Sequence, residues 1–151
     1  MKIIVHTTET ENYLYTNSFD IEGGNFSKAG TVATRIKSIL KERGLPNDVV
    51  RKSAIVSYEA EINVVSYARK GIIHLKVTSN VVEIDVADDG PGIPDIELAM
   101  KQGYSTANQQ IREMGFGAGM GLYNIQCYSD QFNISSEINK GTFLKIIVNI
   151  P

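Results

Sequence analysis

The spacing of apolar residues predicts an amphipathic helix over residues 28–43. The side chains that recur at helical spacing there are Val32, Ile36, Ile39 and Leu40. Asn25 or Ser27 is the expected N-cap, because both residue types can accept a hydrogen bond from the first turn. Gly44 follows the last periodic residue and is expected to end the helix.

A second amphipathic helix is predicted immediately after the first. It begins at Asn47 or Asp48, either of which can act as a cap, and it continues to about residue 68. Its predicted apolar stripe consists of Ala54, Ile55, Tyr58, Ile62 and Val65.

Runs of alternating or β-branched residues, bounded by turn residues, predict the strands. These runs cover residues 2–6, 13–20, 72–77, 81–86, 131–138 and 142–150. Short helical pieces are predicted near residues 95–101 and 120–129. This order of elements predicts an α/β two-layer sandwich, with helices packed on one face of a mixed, mostly antiparallel sheet. We expect a single domain over residues 1–151.

Composition narrows the class of protein. The chain is 42% hydrophobic and 21% charged, as in ordinary globular domains, and its net charge of −2 gives no basis for nucleic-acid binding. No run approaches the roughly 20 apolar residues of a membrane helix, and the apolar start is too short for a signal peptide. The lone Cys127 excludes an internal disulfide and a cysteine-based zinc cluster. We expect a cytoplasmic protein that binds neither nucleic acid nor membranes.

The first candidate for chemistry is a pair of side chains on the second helix. Glu59 and Asn63 are four residues apart, so the carboxylate and the amide lie on the same helix face. Two such oxygens suit Mg²⁺, which prefers hard oxygen ligands, and the carboxylate could equally accept a proton from a hydroxyl nucleophile. The alternative is a solvated helix face without chemistry.

The second candidate follows a predicted strand, where Asp88 and Asp89 precede Gly90, Gly92 and Ile93. The glycines allow the backbone to approach a flat ligand closely, and a buried carboxylate there could accept a hydrogen bond from an exocyclic amine such as that of adenine. The alternative is an ordinary turn, because Asp, Gly and Pro all favour turns.

The third candidate is the glycine-rich stretch that opens the helix near residue 120. Gly117, Gly119 and Gly121 alternate with other residues before Leu122, so their backbone N–H groups could contact phosphate at a helix N-terminus. No Gly-Lys-Ser/Thr sequence follows, which excludes a Walker-type loop. The alternative is a flexible surface loop. Residues 89–121 as a whole are unusually rich in glycine and polar residues, which is typical of a functional lid.

Taken together, order and spacing resemble the ATPase fold shared by gyrase B subunits, heat-shock protein 90, MutL and histidine kinases. Glu59 and Asn63 resemble the N-box of that family, residues 88–92 its adenine box, and residues 117–121 its glycine box at the end of the lid. Residues 140–143 resemble the final Gly-Thr element near the adenine. The resemblance covers residues 26–151.

The resemblance implies ATP and Mg²⁺ as cofactors and gives each matching residue a role. Asn63 would hold Mg²⁺, and Glu59 would accept the proton of a serine hydroxyl on a partner protein. Asp88 would bind the adenine amine, and Thr142 would support Asp88 through a hydroxyl or a water. The remaining nucleotide contacts are expected from Gly90, Gly92, Ile93, Gly117, Gly119, Gly121 and Leu122, with Arg112 as a mobile counter-charge.

Within the family, residues 92–100 and 103–106 are similar to the small bacterial serine kinases of partner-switching pathways, namely anti-sigma factors and stressosome switch kinases. Ser66 stands where histidine kinases usually carry a lysine. The similarity implies an anti-anti-sigma-type antagonist protein as substrate and a sigma factor or other regulator as partner. A homodimer is one option for the assembly. The alternatives are a nucleotide-dependent protein-binding regulator with little kinase activity, and a histidine-kinase-like ATPase domain.

Overall fold

The computed structural model describes residues 13–101 and 121–151. Within them, the strands are β1 (Tyr15–Glu22), β2 (Lys70–Val77), β3 (Val81–Asp88), β4 (Gln131–Glu137) and β5 (Gly141–Asn149). The helices are α1 (Thr31–Glu42), α2 (Asn47–Tyr67), α3 (Ile96–Ala99) and α4 (Gly121–Tyr128), with a 3₁₀ turn at Phe26–Lys28. The strand predicted over residues 2–6 lies outside the described residues.

The described strands form one sheet in the order β1-β2-β3-β5-β4, and every neighbouring pair is antiparallel. Alternate residues of the central strands are buried under the helices, as Leu75 of β2, Ile84 of β3 and Ile146 of β5 illustrate. Helix α2 contacts four of the strands and lies between α1 and α4. The predicted α/β sandwich, with helices on one face of a mostly antiparallel sheet, is confirmed.

The predicted apolar stripe of α2 is only partly right. Ile62 and Val65 are buried, but Tyr58 is 41% exposed, and Ala54 and Ile55 are only partly buried. The buried face of α2 instead follows Val49, Ser53, Val56, Ser57, Ala60 and Val64. Two serines occupy core positions on this face, and their polarity shifted the predicted stripe to a neighbouring face of the helix.

Helix α1 is capped by a residue of α2 and not by Asn25 or Ser27. The Glu61 carboxylate accepts hydrogen bonds from the backbone N–H groups of Gly30, Val32 and Ala33, at 3.0, 3.2 and 2.9 Å. This capping prediction was therefore wrong, because a buried carboxylate from the neighbouring helix satisfies the first turn in place of a local side chain. No helix of the described ranges, 13–101 and 121–151, is both long enough and apolar enough to cross a membrane.

Candidate active site

The N-terminal end of α4 lies against the face of α2 that carries Glu59 and Asn63. Asn124 Nδ2 donates a hydrogen bond of 2.9 Å to Glu59 Oε2. A Cβ atom at Gly121 would lie 3.1 Å from Asn63 Oδ1, so the absence of a side chain there permits the close approach of the two helices. Because Gly121 meets Asn63 while Asn124 meets Glu59, the two helices run antiparallel along this face. Both polar side chains therefore face α4, which argues against a merely solvated helix face.

Asn124 is a residue of this site that the sequence did not indicate. Its partner, Glu59, is 65 residues away in the chain, so neither helical periodicity nor a local motif could have paired them. A glycine three residues before it, at the start of a helix, was the only related feature of the sequence.

The Asp88 side chain is held at the end of β3 by backbone donors. Its Oδ1 atom accepts hydrogen bonds from the backbone N–H groups of Gly90, at 2.8 Å, and Thr142, at 3.3 Å. Partial burial raises the pKa of the Asp88 carboxyl above its ordinary value, the two backbone hydrogen bonds oppose this rise, and the nearby Asp89 charge adds to it. Within the described part of the chain, no group donates a hydrogen bond to Oδ2, so this oxygen is available as an acceptor.

Asp89 has a different role from its neighbour. Its Oδ1 atom accepts hydrogen bonds of 3.0 Å from the backbone N–H groups of both Arg69 and Lys70, and these bonds connect the turn between α2 and β2 to the end of β3. The same backbone donors lower the pKa of Asp89. Of the two adjacent aspartates, Asp89 therefore stabilises the turn.

The segment after Asp88 packs on the end of β4 and on the turn that joins β4 to β5. Ile93 N donates to Ser136 Oγ at 2.8 Å, and Asn139 N donates to the Pro91 carbonyl at 2.8 Å. Gly92 has a φ of +82°, and a Cβ atom there would overlap the carbonyl group of Glu137. Gly92 is thus needed for protein packing, whether or not it also approaches a ligand.

Thr142 contacts Asp88 through its backbone. The backbone N–H of Thr142 contacts the carboxylate, whereas its hydroxyl lies 2.8 Å from Ser136 Oγ. The predicted support through the Thr142 hydroxyl or a water stays a prediction, beside this direct backbone hydrogen bond. Ser136, which the sequence did not indicate, links Thr142 to the segment that follows Asp88.

The Asp88 segment also adjoins the end of α2. A Cβ atom at Gly90 would lie 3.3 Å from the Tyr67 carbonyl oxygen and 3.1 Å from Asp88 Oδ1. Tyr67 is one helical turn beyond Asn63, so the structure places the Asp88 segment at the C-terminal end of α2, near the helix that carries Glu59 and Asn63.

The third candidate, the glycine-rich stretch before α4, lies only partly within the described residues. Gly117, Gly119 and Arg112 lie outside the described residues, so their predicted roles remain predictions. Leu122 is partly buried and packs against the hydrophobic core, which gives it a structural function. The described residues contain no group of three or more His, Cys, Asp or Glu side chains placed to hold a metal ion.

Known proteins are similar to this chain over most of its length. Residues 50–151 match the family described as histidine kinase-, DNA gyrase B-, and HSP90-like ATPase. An anti-sigma F factor of Thermoanaerobacter sp. (strain X514) is 31% identical over 113 residues, which make up 74% of this chain and 70% of that protein. The serine/threonine-protein kinase RsbT of Bacillus subtilis (strain 168) is 31% identical over 116 residues, or 74% of this chain and 80% of the kinase. The chain belongs to the histidine kinase-, DNA gyrase B- and HSP90-like ATPase family.

Membership of this family confirms the ATPase fold predicted from the sequence, and it implies the use of ATP. The two relatives confirm the predicted resemblance to anti-sigma factors and switch kinases. Their names support the function predicted above, a serine kinase of a partner-switching pathway.

Proposed function

We propose that this chain is an ATP-dependent protein serine kinase of a bacterial partner-switching pathway, acting on a small antagonist protein. The observation that carries the proposal is the position of Glu59: its carboxylate faces α4 one helical turn from Asn63, and the Asp88 segment adjoins the C-terminal end of the same helix. The proposed proton acceptor, metal-binding amide and adenine acceptor thus lie on or beside the C-terminal half of α2.

Adenine recognition is assigned to Asp88. Its Oδ1 atom is already occupied by two backbone donors, which fix the carboxylate plane and leave Oδ2 to accept the exocyclic amine of the base. A fixed acceptor loses little conformational entropy when the ligand binds, so affinity is gained without reorganisation of the site. Gly90, Gly92 and Ile93 form the adjoining backbone, and Gly117, Gly119 and Gly121 are proposed to contact the phosphates through their N–H groups.

The donor set suits a magnesium ion that is held mainly by its nucleotide. Mg²⁺ keeps several waters and commonly takes only one or two protein ligands besides phosphate oxygens. The Asn63 amide oxygen, which faces the start of α4, is the proposed protein ligand. When bound, Mg²⁺ would neutralise phosphate charge.

Glu59 is the proposed general base. The serine oxygen of the partner would form the new bond to the γ-phosphorus, the bond to the bridging oxygen would break, ADP would leave, and the serine proton would pass to Glu59. Such transfer depends mostly on positioning and on neutralising charge, so few protein groups are required. The base is expected to contribute about 10²–10⁴-fold to the rate.

The proposed substrate is an anti-anti-sigma-type domain, and a sigma factor or another regulator is the proposed second partner. Phosphorylation adds about −1.5 to −2 charges at neutral pH. In an interface this charge would separate the kinase from its antagonist by repulsion and by the cost of desolvation.

Transfer of ³²P from γ-labelled ATP to purified anti-anti-sigma-type domains tests the proposal directly. We expect an acid-stable phosphoserine with the wild type, and a rate of transfer lowered by about 10²–10⁴-fold with retained ATP binding in Glu59→Gln. Label that is lost in acid would instead indicate phosphohistidine or phosphoaspartate. Tight ATP-dependent binding of the domain without any transfer would favour the protein-binding regulator.

A further inference from the structure

Asn124 is in direct contact with the proposed general base and has no role in the function described so far. Its Nδ2 atom donates to Glu59 Oε2 at 2.9 Å, and both side chains are partly buried. An ionised carboxylate accepts hydrogen bonds but cannot donate them, so the Asn124 amide must present its NH₂ group to Glu59. The hydrogen bond therefore has one possible direction, and it favours one orientation of the carboxylate.

The residue type at this position is informative. Asn is a weaker helix former than Ala or Leu, because its side chain competes for backbone hydrogen bonds. Asn124 nevertheless lies inside α4, and its side chain contacts α2. In the described part of the chain, Glu59 Oε1 receives no hydrogen bond, so one carboxylate oxygen is held while the other is left for a substrate.

We propose that Asn124 is a positioning residue for phosphoryl transfer, which holds Glu59 Oε2 so that Oε1 is presented to the serine hydroxyl of the partner. This inference rests on the proposed kinase function. It also makes the orientation of the base depend on the placement of α4, since Asn124 follows the Gly121–Asn63 contact by one helical turn.

The alternative is that Asn124 merely joins α4 to α2. A structural role predicts that Asn124→Ala lowers thermal stability or ATP affinity, with an effect that persists when Glu59 is replaced. A positioning role predicts a lower kcat, an unchanged ATP affinity and an effect that requires Glu59. Because Asn124→Ala removes a hydrogen bond to a charged group, we expect it to lower kcat by about 10- to 100-fold.

The test is a double-mutant cycle on the rate of ³²P transfer, with the wild type, Asn124→Ala, Glu59→Gln and the double variant. We expect Asn124→Ala to lower the rate of transfer when Glu59 is present. In the Glu59→Gln background it should cause no further loss. Gln126→Ala is the matched control, because Gln126 is an exposed amide on the same helix. It should retain the wild-type rate.

A second variant keeps the proposal testable if Asn124→Ala unfolds. Asn124→Asp is nearly isosteric, but it places an acceptor against Glu59, so it should slow transfer at least as much as Asn124→Ala. Wild-type kcat in either variant, or equal losses with and without Glu59, would overturn the positioning role. An absence of transfer by the wild type itself would instead contradict the proposed kinase function.

Discussion

The carboxylate of Asp88 and the backbone N–H of Thr142 are joined by a hydrogen bond of 3.3 Å between the end of β3 and the start of β5. The register of the sheet places these two residues opposite each other. Gly141, immediately before Thr142, has a φ of +136°, and a Cβ atom there would overlap the carbonyl oxygen of Asp88. The geometry of the proposed adenine acceptor thus depends on a glycine of a different strand.

Gly141→Ala is therefore expected to disturb nucleotide binding as well as folding. The added methyl group would separate β5 from the end of β3 and move the Thr142 N–H away from Asp88. We expect a loss of several kcal/mol in the free energy of unfolding, since overpacking alone costs about 1–3 kcal/mol and the positive φ adds about 1–2 kcal/mol. Urea unfolding and ATP titration of the same preparation measure the two effects.

Gly44→Ala is the matched control for this substitution. Gly44 also has a positive φ, of +77°, but among the described residues no atom beyond its chain neighbours lies within 4 Å of a Cβ placed there. It should lose only the backbone contribution, about 1–2 kcal/mol, and retain ATP affinity. Equal losses of stability in the two variants would show that the contact with Asp88 has no energetic consequence.

Replacement of Glu61 is expected to destabilise the packing of α1 on α2. Glu61 is 2% exposed, and its carboxylate accepts three backbone hydrogen bonds from the start of α1. Glu61→Ala would leave buried N–H donors without a partner, so we expect a loss of at least about 2–3 kcal/mol in the free energy of unfolding by urea.

The exposed Glu42 at the end of α1 provides the comparison. Glu42→Ala should change the free energy of unfolding by no more than about 0.5 kcal/mol. If Glu61→Ala were as stable as Glu42→Ala, the capping interaction would contribute nothing to the fold.

A pair of carboxyl groups on the sheet face opposite the helices should make stability depend on pH. Glu83 and Asp85 are both buried, with Lys76 at 3.7 and 2.8 Å from them and Lys145 at 4.0 Å from Glu83. Burial, followed by the hydrogen bond to Asp85, raises the pKa of Glu83 from 4.5 to about 7. The folded state thus binds this proton more tightly than the unfolded state does.

Stability from the Glu83 proton is fully present below pH 4.5 and is lost as pH rises through about 7. The melting temperature of the wild type should therefore fall relative to that of Glu83→Gln as pH rises from 4.5 to about 7, the interval between the unfolded and folded pKa values. Calorimetric melting of both proteins across this interval measures the difference. If the melting temperatures of the two proteins changed equally with pH, Glu83 would have the same pKa in the folded and unfolded states.

Features that lie within one helix or strand could be predicted from the sequence. Glu59 and Asn63 share a helix face because they are four residues apart, and Asp88 ends a strand because β-branched residues precede it and glycines follow. Such features depend on helical and strand periodicity alone, which is independent of the rest of the fold.

Contacts between helices and strands that are distant in the chain could not be predicted from the sequence. Glu61 and Asn124 find their partners about 30 and 65 residues away, and the sequence contains no signal for either pairing. Ser53 and Ser57 are fully buried despite their hydroxyl groups, so polarity alone misplaced the buried face of α2. The packing of α2 between α1, α4 and the sheet determines all four positions.

ATP binding through Asp88 is the central claim, and titration calorimetry of the wild type and Asp88→Asn with ATP and Mg²⁺ tests it most directly. The Asn side chain would keep its oxygen toward Gly90 and Thr142, so its NH₂ group would replace Oδ2 and face the adenine amine with a donor. We expect magnesium-dependent binding by the wild type, and a loss of about 100-fold or more in affinity for Asp88→Asn. Asp20→Asn, an exposed change on β1, should bind as the wild type does. Equal ATP affinity in the wild type and Asp88→Asn, or no binding by the wild type, would contradict the account.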